Sequence, residues 1–242
     1  IARLDGDQTI ALAQAAGQFA KADKGLFTIG AACAGSNVIM HAVGMTATEM
    51  YDISGQAFRP YLVFSAEMVK WKRTFSDIHW AEPCPNTVVV EKVEDLCEAH
   101  VFDLRPGRRV KLPQCHCFVI GSECDNICSA NTAGKAGGAH KGQISRAKHG
   151  EVGKEVKSGT SALAGLKYVV KHKPLTFIWE NSRNLNTPGK DGEPSELEEM
   201  EEYLCEHYVI CTDVLRTQDT GVPNTRTRQY IVGWLRLRPP KA

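Results

Sequence analysis

Short apolar runs alternate with helical segments along this chain. This alternation constrains its fold more than any other sequence feature, because it is typical of α/β folds. Branched and aromatic residues predict strands over 26–29, 61–66, 117–120, 175–179, 208–215 and 229–234, and residues 88–90 and 101–102 are shorter apolar pieces. Apolar residues at helical spacing predict helices over 8–24, 38–43, 163–170 and 195–204. Strands alternating with helices imply a mostly parallel sheet in an α/β layer fold.

Three segments have local signals of their own. Ser195 is the predicted N-cap of its helix, and Glu198, three residues later, is the predicted partner in a capping box. Residues 130–160 are rich in Gly, Lys, Ala and His and have almost no large apolar groups, which predicts a mobile loop. A Gly/Pro/Asp loop is predicted over 186–194.

The composition is that of an ordinary soluble globular domain. The 242 residues are 43% hydrophobic and 24% charged, with a net charge of +1, so any basic surface must be local. No apolar run approaches the roughly 18 residues that a membrane span needs. Nine cysteines without a secretory signal indicate reduced thiols in an intracellular protein. The opening at Ile1, without a methionine, suggests an excised domain.

Small residues, acids and a cysteine follow the predicted strands, at the carboxyl ends where open α/β sheets bind ligands. The first strand runs into Gly30–Gly35, the second ends at Glu67, and Asp103 follows a third. Cys124 comes shortly after the strand that ends at Gly121. These positions predict a ligand site at one edge of the sheet.

Four segments, in this order, resemble the motifs of cytosine-C5 DNA methyltransferases. Residues 30–35 (Gly-Ala-Ala-Cys-Ala-Gly) resemble the glycine-rich cofactor loop, and residues 121–125 (Gly-Ser-Glu-Cys-Asp) resemble the Gly-x-Pro-Cys-Gln nucleophile segment. Residues 173–182 (Lys-Pro-Leu-Thr-Phe-Ile-Trp-Glu-Asn-Ser) resemble the Glu-Asn-Val motif, which a proline and a hydrophobic strand precede. Residues 219–233 follow the pattern Tyr-Gly-Val-Pro-Gln-x-Arg-x-Arg before a last strand. The resemblance covers roughly residues 26–236.

The resemblance implies a fold and a cofactor. The fold would be a Rossmann-like S-adenosylmethionine-dependent methyltransferase sheet with helices on both faces, in one catalytic domain over residues 1–242. S-adenosyl-L-methionine would be the cofactor, with Glu67 accepting the ribose hydroxyls and Asp103 the adenine amine. The implied cofactor-binding residues are Gly30, Ala32, Gly35, Glu67 and Asp103. Ala32 and Ala34 replace glycines of the family's loop, and Gly30 stands where an aromatic residue would pack on adenine.

The resemblance also implies a covalent mechanism. The Cys124 thiolate would add to C6 of a flipped-out cytosine, so that C5 becomes nucleophilic enough to take the methyl group. Glu180 would contact ring nitrogen N3 and the exocyclic amine, while Arg226 and Arg228 would hold O2. The two arginines alternate on an extended segment, so both should point to the same face. The implied substrate-binding residues are Gly121, Asn181 and Asn224, the last in place of the usual glutamine.

The implied partner is DNA, or RNA, since the motifs do not separate the two. The basic residues of 130–160 would contact backbone phosphates. Family members continue into a target-recognition domain and a closing segment, which would have to be supplied elsewhere. A DNA substrate implies the nucleus or a nucleoid.

Other interpretations remain open from sequence. Cys115, Cys117, Cys124 and Cys128, with His116, have the density of a zinc module, although the pairs lack the usual two-residue gap. Glu123 and Asp125 flank Cys124 and would raise its pKa if both are ionised and close, which favours a weak enzyme or a non-catalytic nucleic-acid-binding scaffold. A tRNA cytosine methyltransferase is a third alternative. Each acid and arginine could also be solvated charge.

Overall fold

The computed structural model describes residues 26–33, 35, 40, 59–122, 160–188, 194–220 and 226–236. The predicted helix 8–24, most of the predicted helix 38–43, Cys124, Asn224 and all but the last residue of the predicted basic loop lie outside this part of the chain. The chain groups into two compact units. The first comprises Ile1–Glu91 and His100–Val119, and the second comprises Lys92–Ala99 and Ile120–Ala242.

The first unit holds three parallel strands and a hairpin. Its elements are β1 (Leu26–Ala32), β2 (Arg59–Ala66), α1 (Lys70–Trp80), β3 (Val88–Val90), β4 (His100–Asp103), β5 (Arg108–Lys111) and the start of β6 (Cys117–Gly121). β1 pairs with β2 and β2 pairs with β3, both in parallel. β4 and β5 form a separate antiparallel sheet, whose turn places Gly107 at a φ of 63°.

The second unit holds an antiparallel group of strands. Its elements are a 3-10 helix (Val93–Cys97), α2 (Thr160–His172), β7 (Thr176–Ser182), a 3-10 helix (Arg183–Asn186), α3 (Glu196–Leu204), β8 (Tyr208–Arg216), a 3-10 helix (Thr217–Thr220) and β9 (Thr227–Leu235). β9 pairs antiparallel with both β7 and β8. The full sheet has seven strands in the order β3-β2-β1-β6-β7-β9-β8.

The expected mostly parallel sheet therefore holds for the pairing of β1 to β3, and β9 is an antiparallel member of the sheet. The reason is the connection: residues 217–226 join β8 to β9, and parallel neighbours need a crossover of about a dozen residues or more. So short a connection favours a reversal of chain direction.

The apolar core of the first unit lies between its parallel strands and β6. Ile29, Leu62, Phe64 and Phe118 are each 1% exposed or less, and the rings of Phe64 and Phe118 lie 6.2 Å apart. Burying a side chain of this size stabilises the folded state by about 1.5–3 kcal/mol.

The core of the second unit is built around Trp179, which is fully buried on β7. Gly165 of α2 lies against it, since a Cβ there would be 3.0 Å from the indole ring and 2.6 Å from Ile120. Tyr208 is also fully buried, and its hydroxyl donates to the carbonyl oxygen of Pro174 at 2.8 Å. The absence of a side chain at position 165 therefore allows α2 to approach the strand closely.

The helix predicted over 195–204 is confirmed together with its capping box. The Ser195 side chain accepts from the Glu198 N–H, and the Glu198 carboxylate accepts from the Ser195 N–H. The helix predicted over 163–170 is confirmed as the longer α2. No helix among the residues described has the length and apolar character needed to cross a membrane.

Neither α1 nor β5 was predicted from the sequence. In α1, three large apolar residues recur at helical spacing, but all three are exposed: Trp71, Phe75 and Ile78. The apolar stripe of this helix therefore does not face the core of its own unit. β5 (Arg-Arg-Val-Lys) escaped prediction because three of its four residues are charged.

Candidate active site

At the carboxyl end of β2, Glu67 is a buried acid. The residue is 6% exposed, and its Oε1 accepts a hydrogen bond from the Val69 N–H at 2.9 Å. Its own N–H donates to the carbonyl oxygen of Val90 at 3.2 Å, which fixes it beside the end of β3. Among the described residues, the Val69 N–H takes one of roughly four acceptor positions of this carboxylate. The remaining positions suit hydroxyl donors of a ligand.

Arg73 of α1 holds this turn in place. Its Nη1 donates to the carbonyl oxygens of Glu67 at 2.7 Å and Met68 at 2.6 Å, and lies 3.7 Å from Oε1 of Glu91. Glu91 directly follows β3, so two acids end neighbouring parallel strands in this unit. Neither Arg73 nor Glu91 was predicted from the sequence, although Glu91 directly follows the apolar residues 88–90.

The predicted glycine-rich loop is in large part strand. Gly30 and Ala32 lie within β1 and are buried, so the expectation that they belong to a loop is wrong. A Cβ at Gly30 would be 2.0 Å from Cζ of Phe64, which means that the Phe64 ring fills the space above this glycine. The tight turn comes later, where Cys33 has a φ of 49° and Gly35 a φ of 57°. Gly35 adopts that conformation without the steric cost of a Cβ.

Asp103 ends β4, a strand of the two-stranded sheet, and so does not end a strand of the seven-stranded sheet. It is 6% exposed, and its Oδ1 accepts from the backbone N–H groups of Val89 and Arg105, each at 3.1 Å. These bonds tie the hairpin to β3. Its role towards an adenine amine stays a prediction.

In the second unit, Glu180 and both predicted arginines come together. Nε of Arg228 lies 2.7 Å from Oε1 of Glu180, and Nη2 of Arg226 lies 3.5 Å from the same oxygen. Arg228 is on β9 diagonal to Glu180, since β7 and β9 pair Ser182 with Arg228 and Glu180 with Tyr230. The expectation that both arginines point to one face is confirmed.

Tyr230 belongs to the same cluster, although the sequence analysis did not select it. It pairs with Glu180 across the strands, so the two side chains share a face of the sheet. Burial, and then the negative charge of Glu180, raise the pKa of the Tyr230 phenol; Arg226 and Arg228 oppose that shift. The phenol is therefore neutral at physiological pH.

Asn181 does not join this cluster, because neighbouring residues of a strand point to opposite faces. Its Nδ2 donates to Oγ of Ser122 at 2.7 Å and to the Ser122 carbonyl oxygen at 3.3 Å. Its Oδ1 accepts from the Ser182 N–H at 2.6 Å. Asn181 thus fixes Ser122, the residue that directly follows β6. Its predicted contact with substrate stays a prediction.

The cysteines that the structure describes include two buried ones near β6. Cys115 and Cys117 are 8% and 2% exposed, and burial raises the pKa of the Cys117 thiol. Nδ1 of His116 accepts a hydrogen bond from the Thr28 N–H at 3.1 Å. Within the described ranges, no group of three or more His, Cys, Asp and Glu side chains could hold a metal ion. Cys124 and Cys128, the other thiols of the zinc hypothesis, lie outside these ranges.

The part of the chain that holds this cluster matches a known protein family. Residues 145–240 match the family described as C-5 cytosine-specific DNA methylase. The predicted resemblance is confirmed. The matched range includes the cluster of Glu180, Arg226 and Arg228. No curated protein matches the chain by sequence.

Solved structures of methyltransferases share the fold. The Dnmt2 methyltransferase of S. pombe is similar with a TM-score of 0.53 and 11% identity, over 89% of this chain and 51% of that one. A protein described as a DNA modification methyltransferase, encoded within an E. coli prophage, has a TM-score of 0.52 and 13% identity, over 86% of this chain and 47% of that one. The chain thus spans about half the length of these structures. The predicted fold class, a Rossmann-like methyltransferase sheet, is confirmed.

Proposed function

We propose that this chain transfers a methyl group from S-adenosyl-L-methionine to C5 of cytosine in DNA, through a covalent adduct with Cys124. The observation that carries the proposal is the cluster of Glu180, Arg226 and Arg228 on one face of β7 and β9, inside the segment that matches the cytosine-specific family. The cluster combines an acid with two permanent cations, groups that match the donor and acceptor atoms of a cytosine base.

The chemistry of the cluster suits a cytosine base. The Glu180 carboxyl group can accept a hydrogen bond from the exocyclic amine and, when protonated, donate one to N3. Arginine donors match the carbonyl oxygen O2. Because Arg226 and Arg228 both lie against Oε1, the other carboxylate oxygen is the one that can face the base.

The first unit has residues that fit the cofactor. Glu67 is a buried acid at the carboxyl end of a parallel strand, with acceptor positions left for ribose hydroxyls, and Arg73 fixes its backbone. Glu91 at the end of β3 is a second acid at this edge. When bound, S-adenosyl-L-methionine would supply the methyl group.

Cys124 is the proposed nucleophile. Its thiolate would form a bond to C6 of the base, and the electron pair of the C5–C6 double bond would then form a bond from C5 to the methyl carbon, as the bond between that carbon and the cofactor sulfur breaks and S-adenosylhomocysteine leaves. Loss of the C5 proton to solvent would expel the thiolate and restore the C5–C6 double bond. Glu180 stabilises the adduct through N3, and Arg228 holds both O2 and the Glu180 carboxylate.

The substrate class and the partners are part of the proposal. Lys and Arg residues within 130–160 are proposed to contact phosphates, and a recognition domain or partner subunit supplies the choice of sequence. Such a substrate would place the protein in the nucleus or a nucleoid.

The test begins with S-adenosylhomocysteine, titrated into the purified chain by calorimetry. We expect saturable binding that Glu67→Ala abolishes. Duplex DNA that contains 5-fluorocytosine should then give a covalent complex with the chain, and Cys124→Ser should form none while it still binds the cofactor product. Retained turnover in Cys124→Ser would refute the nucleophile assignment.

A parallel assay with tRNA separates the two nucleic-acid substrates. Methylation of duplex DNA but not tRNA supports the proposal, and the reverse result replaces DNA with RNA as substrate. Binding of S-adenosylhomocysteine without any transfer to either would favour the non-catalytic scaffold.

A further inference from the structure

The helix α1 carries its large apolar residues on the outside. Trp71, Phe75 and Ile78, which together form the α1 stripe, are 69%, 43% and 74% exposed. A surface helix of a globular protein normally turns its apolar residues towards the core. In α1 the buried residue is Ser76, which is polar. The described residues therefore leave the α1 stripe exposed, and a contiguous apolar surface of this kind marks an interaction site.

Polar contacts hold α1 in this orientation. Arg73 donates to the carbonyl oxygens of Glu67 and Met68 at 2.7 and 2.6 Å, and Nε of Arg105 donates to Oδ1 of Asp77 at 2.7 Å. Arg73 and Asp77 are four residues apart, so they share one face of the helix. Successive residues are turned by about 100° around a helix, which places this face opposite the α1 stripe. The contacts made by the polar face thus keep the stripe pointing outwards.

The spacing of the α1 stripe indicates that its occupant is a helix. Its three residues are separated by four and then three positions, which is the heptad spacing of a helix that packs against another helix. A seam of this kind receives the apolar side chains of a second helix between its own. Aromatic residues, of which the stripe has two, are enriched in the cores of protein interfaces.

The charges beside the stripe are positive. Lys70 and Lys72 flank Trp71 in the sequence and so lie on opposite sides of the stripe, with Nζ of Lys72 5.8 Å from the centre of the Trp71 ring. The one acid in the sequence of α1, Asp77, is paired with Arg105. Acidic residues on a partner helix would complement the two lysines. A second copy of this chain would instead set the same cations against each other, because a two-fold interface pairs a surface with itself.

We propose that the α1 stripe is the docking site for an amphipathic helix of a partner protein, which has apolar residues at heptad spacing and acidic residues on both flanks. The apolar side chains of the partner pack between Trp71, Phe75 and Ile78, and its carboxylates face Lys70 and Lys72. The inference does not depend on the methyl transfer proposed above.

Two synthetic helical peptides that differ only in charge test the proposal. Both have leucine at heptad positions a and d, and one has glutamate where the other has lysine at positions e and g. Fluorescence anisotropy of each labelled peptide, titrated with the full chain, should show saturable binding of the glutamate peptide. The lysine peptide should bind at least about tenfold more weakly. The variant that combines Lys70→Glu with Lys72→Glu should reverse this preference.

Substitutions in the stripe test its apolar contacts. Trp71→Ala should raise the Kd of the glutamate peptide by roughly thirtyfold, the loss typical of an aromatic anchor, and Ile78→Ala should raise it by less. Both residues are exposed and alanine favours a helix, so thermal unfolding should stay at its wild-type midpoint. Val209→Ala is the matched control for Ile78→Ala, because Val209 is an aliphatic residue of the second unit that is 50% exposed. It should leave the Kd unchanged.

Binding of neither peptide, equal binding of both, or an unchanged Kd in Trp71→Ala would overturn the proposal. Self-association of the chain in sedimentation, abolished by Trp71→Ala, would assign the stripe to a second copy instead. Displacement of the glutamate peptide by single-stranded DNA, or by vesicles of anionic phospholipid, would assign it to a nucleic acid or a lipid surface. None of these outcomes changes the methylation assays, so the proposed function is tested separately.

Discussion

At the residue scale, the candidate active site depends on the alternation of side chains along β7. Glu180 points to the face that carries Arg228 and Tyr230, whereas its neighbours Trp179 and Asn181 point to the buried face and hold Ser122. One Glu-Asn motif therefore serves two purposes. The acid belongs to the cluster proposed to bind the base, and the amide fixes Ser122 at the end of β6.

The two arginines of the cluster should contribute unequally. Arg228→Ala should lower kcat by roughly a hundredfold, the magnitude typical of removing one preorganised donor, because its Nε lies 2.7 Å from Glu180. Arg226→Ala should cost less, since Arg226 is 3.5 Å away and its side chain is about half exposed. Incorporation of a labelled methyl group into duplex DNA measures both. Equal losses, or a larger one for Arg226→Ala, would contradict this order.

The Tyr230 phenol should ionise later than a free tyrosine. Its folded-state pKa is raised, so the native state holds this proton more tightly than the unfolded chain does. The stability linked to this proton is present below the unfolded pKa of about 10 and is lost as pH rises through the folded value. Urea unfolding at pH 8 and pH 11 should show a smaller loss for Tyr230→Phe than for wild type. Glu180→Gln should bring the phenol's absorbance titration to lower pH, because it removes a neighbouring negative charge.

At the element scale, packing between β1 and β2 explains why β1 has small residues at positions that resemble a cofactor motif. Gly30 lies under the Phe64 ring and Ala32 is fully buried, so these small residues are explained by contact between β1 and β2. The left-handed turn that follows, at Cys33 and Gly35, is the part of the motif that leaves the strand.

Gly30→Ala should therefore destabilise the fold. The new Cβ would be 2.0 Å from Cζ of Phe64, and such overpacking costs about 1–3 kcal/mol of the free energy of unfolding. Phe64→Leu in the same chain should recover part of that loss, which urea denaturation measures. Gly107→Ala is the control: its Cβ meets nothing within 4 Å, its φ is 63°, and Phe64→Leu should not rescue it. Additive effects at positions 30 and 64 would contradict the contact.

At the scale of the whole molecule, each unit contributes its own part of the predicted machinery. Glu67, Arg73 and Glu91 belong to the first, and Glu180, Arg226 and Arg228 belong to the second. Cofactor binding and base recognition should therefore respond to different substitutions.

Cofactor product should stabilise the folded chain by mass action. S-adenosylhomocysteine at a hundred times its Kd adds about 2.7 kcal/mol, which for a chain of this size corresponds to a rise in Tm of roughly 5–10 °C. Glu67→Ala should abolish the shift, whereas Glu180→Gln should keep it, because the two acids lie in different units. Loss of the shift in Glu180→Gln would contradict this separation.

The sequence by itself determined the helices and strands that depend on residues close together in the chain. Apolar periodicity and capping residues were enough for α3 with its Ser195–Glu198 box and for strands such as β7, and alternation along an extended segment predicted the shared face of Arg226 and Arg228. These features depend on residues close together in the chain, so their pattern can be read without knowledge of the fold.

Only the tertiary structure decided what depends on distant partners. The antiparallel position of β9, the place of Asp103 in a separate hairpin, the ring of Phe64 over Gly30 and the bonds from Trp179 and Asn181 to Ser122 all join residues far apart in sequence. Strand order and side-chain contacts are set by the summed burial of apolar surface and by the need to pair buried polar groups. No local pattern specifies which partner meets that need.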